Sequence, residues 1–357
     1  MRSRGTRVKL NKKRLFIAIA IALVVIIGII FGIIKITNKG DGKITEPEKK
    51  EEVVEKEEPV KIIDLDSDTR PYAVMINCKS EALPQSGLQD AYMVYEETVE
   101  GGITRMVAFF KDKDVSKIGS VRSARVQYLP FVFEHDAIYV HAGGSCTADS
   151  RIANEGINHI DVDGQYGIRD AELRKVRAWE HTLFTTTELL NKAASNIGYR
   201  KTTTQKPVLN YQAKEVDLSK YETKEANNVS IKYSYYRTSN YTYDSENKVY
   251  LRSMNDTKNI DLVTGKQYEV KNILIYGVQY NTVVACGNNA YSDPQIYGKG
   301  EGYYVTNGVA LPITWEKQNE KSQTVYKIKE TGEELTVNDG NTYVQIYPSN
   351  GGYLSIN

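Results

Sequence analysis

The chain has 357 residues with 46 Lys and Arg against 45 Asp and Glu, so it holds no charge surplus for a polyanion, and nucleic acid is set aside as a partner. Three cysteines, Cys78, Cys146 and Cys286, are too few and odd in number for a disulfide framework, and no CxxC spacing marks a metal centre. Twenty-six tyrosines against two tryptophans, Trp179 and Trp315, suit strands whose polar tips meet water.

Residues 15–34 read LFIAIAIALVVIIGIIFGII, without a charge. At about 1.5 Å per residue such a run crosses a hydrocarbon core of roughly 30 Å. The expectation is one transmembrane helix over 15–36, from Leu15 to Ile36. Arg2, Arg4, Arg7, Lys9, Lys12, Lys13 and Arg14 precede it, which assigns 1–14 to a cytoplasmic tail and sends the remainder outside the cell. A secretory signal has a shorter apolar core and a small-residue cleavage site. No cysteine follows the run closely, so the residues give no lipid attachment point. Residues 37–69, rich in Glu and Lys, cannot bury enough surface to fold alone. They read either as a spacer off the membrane or as a short charged helix serving solubility.

From 70 to 205 strands and helices interleave. YAVMIN, AYMVYEETV, ITRMVAFF and AIYVH are strand runs, and Gly101-Gly102 separates the second from the third. Thr147 is the expected cap of a helix running to Glu155, and Thr185 with Glu188 forms a capping box before LLNKAASNI. From 206 to 357 short alternating segments such as VSIKYSYY, KVYLRSM, NILIYGV and TYVQIYP are broken by Gly, Asn and Asp turns. The expected fold class is α+β: a mixed α/β domain over 70–205 and a β-rich domain over 206–357.

Polar groups concentrate beside glycine in YEETVEGGITRM, IGSVRSARVQY and YVHAGGS. With a helix starting near Ser123, Arg122 and Arg125 share its entry, and Arg105 opens a neighbouring strand. Guanidinium groups gathered in this way bind phosphate, pyrophosphate or carboxylate. Gly143 and Gly144 add backbone N–H donors at a helix start. Glu96 and Glu100 either orient the arginines or hold a divalent ion, or they simply satisfy them as a structural network. His141 reads as a hydrogen-bonded core residue or as a general base, Ser145 as a turn residue or a nucleophile, and His181 as a residue lining the same cleft. Cys78 and Cys146 can pair if their strands adjoin, which leaves Cys286 as a buried hydrophobe.

RPYAVMIN, LPQSGLQDAYMVYEETVEGGITRM, IGSVRSAR and YVHAGGS resemble the signature of the YerB-like family of bacterial surface proteins, whose domain has no known function. YTYDSENKVYLR, YGKGEGYYVTNG, ITWEK and NDGNTYVQIYP extend the resemblance to nearly everything from 70 to 350. It implies a lipoprotein of Gram-positive bacteria with an α/β first domain and a β-rich second one, and this chain departs in having no lipobox cysteine. ITRMVAFF followed by GSVRSARVQY is also similar to the LytR-CpsA-Psr enzymes, which transfer glycopolymers from polyprenyl pyrophosphate, but Ala124-Arg125 stands where those carry an arginine-aspartate pair. The expected function is binding of an anionic envelope component, either a cell-wall polymer or a lipid-linked phosphate. The alternatives are a Mg²⁺-dependent phosphotransferase or hydrolase acting on lipid-linked precursors, and a scaffold for an envelope protein.

Overall fold

In the computed structural model, which describes residues 58–357, all six residues of YAVMIN are buried and form β1 (Tyr72–Asn77). The expected tail 1–14, the apolar segment 15–36 and the linker through residue 57 lie outside the described residues. Among the described residues no helix is long and apolar enough to cross a membrane. An uninterrupted apolar run is what a strand covered on both faces requires. β2 (Met93–Thr98) and β3 (Thr104–Phe110) are buried throughout in the same way. β4 (Ile118–Gly119), β5 (Ile138–His141), β6 (His159–Asp161), β7 (Ile168–Arg169) and β8 (Leu183–Thr185) follow, with helices α1 (Leu129–Glu134), α2 (Cys146–Glu155) and α3 (Thr187–Ile197) between or after them.

The central sheet has eleven strands, and its spine runs Val309–Lys317, Gly298–Thr306, Asn272–Val278, Thr342–Pro348, β2, β3, β1, β5, β6. Regions 70–205 and 206–357 therefore both supply strands to it, and they meet where Thr342–Pro348 lies parallel to β2. β3 is antiparallel to β1 and β2, and β1 is parallel to β5. Hence β1, β2 and β5 end at the same edge of the sheet, where β3 begins.

Side chains alternate between two cores. Met75, Tyr95, Val107, Phe109 and Tyr139 pack with Leu129 and Phe131 of α1 on one face. Val74, Val94, Met106 and Val140 pack with Leu190 and Ala193 of α3 on the other, joined by Val229, Ile231, Tyr241 and Tyr250 of a second, six-stranded sheet. The mixture of sheets with few helices is an α+β fold.

Local details differ from the sequence expectations. Ser145, rather than Thr147, caps α2, accepting from the Ala148 amide at 3.2 Å. Thr186, rather than Thr185, caps α3 through the Leu189 amide. No helix begins at Ser123. Arg125 is extended (φ −138°, ψ 141°), because the backbone around it is committed to bridging β1 and the loop after β5, and α1 starts only at Leu129. The disulfide joins Cys146 to Cys286, an exposed residue at the tip of the hairpin formed by Tyr280–Ala285 and Asn289–Pro294. Cys78 is free and buried just after β1, so it cannot be the partner, and Cys286 is not a core hydrophobe.

Candidate anion-binding site

Ligands of open sheets gather outside the carboxyl ends of parallel strands, and here a strap of backbone covers that edge. The Asn77 amide donates to Ser120 O at 3.0 Å and the Arg122 amide to Met75 O at 2.9 Å. Further along, the Ala142 amide donates to Arg122 O, Ala124 to Gly143 O, and Ser145 to Ala124 O. Residues 120–125 are thereby fixed between the end of β1 and the AGGS loop.

The strap brings the three arginines together. Arg105 sits in register with Asn77 on one side and Glu97 on the other, and its Nη1 donates to Ser123 O at 2.8 Å. Burial first, then the neighbouring Arg125 cation, pull its guanidinium down to about 10, with Glu100 opposing. The Arg125 Nε donates to Glu100 Oε1 at 2.7 Å. Arg122 is half-buried and, among the described residues, forms no ion pair. Burial lowers its pKa, Glu180 opposes, and Arg125 lowers it further. One carboxylate in direct contact thus serves three cations that repel one another.

His181 faces the same ground. Asn77 Oδ1 accepts from the Lys79 amide, so the Asn77 Nδ2 must be the group 2.9 Å from His181 Nδ1. Nδ1 therefore accepts, and the neutral ring carries its proton on Nε2. Burial holds the ring below its ordinary pKa, with Glu180 opposing.

Other predicted residues go elsewhere. Glu96 projects from the opposite face of β2 and pairs with Arg252 at 2.8 Å, both side chains fully buried. It also accepts from Thr104 and Ser239, so it orients none of the three arginines. The Gly143 amide is met by this chain's own acid, donating to Asp161, and the Asp149 carboxylate fills the space where a Cβ on Gly144 would stand. His141 Nδ1 donates to Gly143 O, and its Nε2 accepts from His159 Nδ1, both at 2.9 Å, so neither nitrogen is free for proton transfer. The Ser145 hydroxyl is taken by its capping bond and by Thr147.

Sequence reading missed Glu97. It stands beside Arg105 across β2 and β3, is 0 % exposed, and neither carboxylate oxygen makes a hydrogen bond to the described protein. Burial raises its pKa well above the usual carboxylate range. The available signal was the alternation in YEETVE, which sends adjacent glutamates to opposite faces. A cleft of about 490 Å³ lies elsewhere, lined by Tyr303, Tyr347, Leu311, Pro312 and Leu354, but the Glu301 at its rim already pairs with Lys329. The arginine edge, by contrast, gathers three cations around one contacting carboxylate.

Residues 60–200 match the family described as protein of unknown function (DUF3048) N-terminal domain, and residues 229–344 match the corresponding C-terminal domain. The chain is 29% identical over 288 residues to a Bacillus subtilis (strain 168) protein named "Putative lipoprotein YerB", covering 79% of this chain and 82% of that one. The crystal structure of YerB protein from Bacillus subtilis superposes with a TM-score of 0.68 at 27% identity, covering 80% of this chain and 94% of that one.

Proposed function

The chain belongs to the DUF3048 family, and from that premise we propose that it is a membrane-anchored extracytoplasmic protein that binds an anionic envelope component through Arg105, Arg122 and Arg125. The observation that carries the reading is the charge balance at the edge: three clustered guanidinium groups, with Glu100 the one carboxylate in contact with them and Arg122 without a partner among the described residues. A buried cation left uncompensated is costly, and a phosphate or carboxylate entering the site repays that cost. Glu100 holds the Arg125 guanidinium in place, Arg122 and Arg105 supply the charge, and the His181 Nε2–H is a neutral donor beside them. The apolar run at 15–34 and the lipoprotein name of the Bacillus relative support an envelope location.

Thermal melting of wild type and Arg122→Ala with pyrophosphate, polyprenyl phosphate and wall-polymer fragments, with and without Mg²⁺, tests the reading. A ligand at a hundredfold excess over Kd stabilises the native state by about 2.7 kcal/mol, several degrees in Tm. That rise is expected in wild type and lost in the folded variant. A variant that melts far lower, with no ligand effect in either protein, would make the arginines structural.

A further inference from the structure

The excursion between β7 and β8 rims the arginine edge through Glu180 and His181, and its outer side exposes apolar side chains. Trp179 is 53% exposed, Val176 80% and Ile168 54%. Two cations flank the indole: the Arg169 guanidinium stacks 4.0 Å from its centre, and the Arg174 guanidinium, on the turn that carries Val176, stacks at 4.4 Å. Arg169 is paired with Asp163 and Lys175 with Glu172, while Arg174 forms no ion pair among the described residues.

We propose that this Trp179 knob seats the folded unit on the surface of an anionic lipid bilayer, with Trp179 and Val176 at the headgroup boundary and Arg174 against lipid phosphate. An indole with apolar body and polar edge, flanked by cations and apolar side chains, is the chemistry of that boundary. Size decides against a protein partner. Two side chains expose a few hundred Å² at most, whereas a stable protein interface needs roughly 800 Å² from each side. A weak contact suffices for a surface to which the chain is already tethered, because tethering makes the second contact intramolecular. The reach is available: residues 37–57 between the apolar run and the described unit span up to about 70 Å when extended. The inference uses the anchored topology proposed above but not its anion site.

The full chain is mixed with vesicles of phosphatidylglycerol and phosphatidylcholine, and with phosphatidylcholine alone, each with and without a bromine-labelled lipid that quenches tryptophan on contact. Flotation reports anchoring, and quenching reports docking. Trp315 is buried, at 4% exposed, so a loss of about half the emission is expected in the anionic vesicles, from Trp179 alone, since it is the indole that reaches the lipid. Quenching should be smaller in phosphatidylcholine, absent in Trp179→Phe and reduced at least twofold in Val176→Asp. Flotation without quenching overturns the docking, leaves the anchor standing and assigns the face to a protein or a second copy. Flotation and quenching that both vanish in Trp179→Phe keep the docking and overturn the anchor. Neither signal in wild type overturns both.

Discussion

Replacing Glu97 by glutamine removes one titrating proton from the interior while keeping the side chain's shape, and the pH dependence of stability should report the loss. In the folded chain the carboxyl is fully buried, without a hydrogen bond to the described protein, and burial raises its pKa well above the ordinary range. In the unfolded chain it titrates near about 4.3. Below that value both states hold the proton and Glu97 costs nothing. As pH rises further, the unfolded chain releases its proton and the folded chain does not, so native stability falls by about 1.36 kcal/mol per pH unit until the folded pKa is passed. The loss accumulates at that slope for as long as the folded carboxyl keeps its proton. Urea unfolding of wild type and Glu97→Gln at half-unit steps from pH 4 to 7.5 measures it. The variant should gain on wild type by about 1.4 kcal/mol per unit above pH 4.5, whatever constant offset the amide introduces. Parallel stability curves would show that Glu97 ionises in the native state, and the reasoning from burial would then be wrong.

Arg252→Ala leaves the Glu96 carboxylate buried and unpaired between the two sheets, and chemical denaturation should show a loss of about 3–5 kcal/mol. The Cys146–Cys286 bridge closes a separation of 140 residues. Reducing agent should cost wild type about 2–5 kcal/mol of stability and leave Cys146→Ser unaffected, and an unchanged wild-type Tm would mean the bridge constrains nothing. Burial pushes the Cys78 thiol up to about 12. Iodoacetamide should therefore leave it unmodified in the native protein at pH 8 and alkylate it in urea, as mass spectrometry would show.

The strands of the central sheet were legible because buried strands carry their own signal. YAVMIN, MVYEET and TRMVAFF announce themselves by apolar content and turn boundaries. The helix caps were misplaced by one or two residues, since neighbouring Ser and Thr hydroxyls offer equivalent acceptors and only the chain path selects among them. The meeting of Arg105, Arg122 and Arg125 could be anticipated from their spacing, but its cause was misread: an extended strap, not a helix, holds two of them. The acids were harder. Alternation shows that Glu96 and Glu97 face opposite ways, yet which one shares a face with Arg105 is set by the register between β2 and β3. The partner of Glu96 is 156 residues away at Arg252, and that of Cys146 is 140 away at Cys286. Such pairings come from the order of strands in the sheets, which no local pattern records.

The central claim is that the arginine edge is an anion site, and calorimetric titration of pyrophosphate into the full chain, wild type and Arg122→Ala, tests it most directly. Loss of one charge-assisted contact is worth about 1.5–3 kcal/mol, so saturable binding in wild type should weaken about ten- to hundredfold in the variant, with Tm held within a degree or two. Equal binding by the two proteins, or heat from neither, would contradict the account.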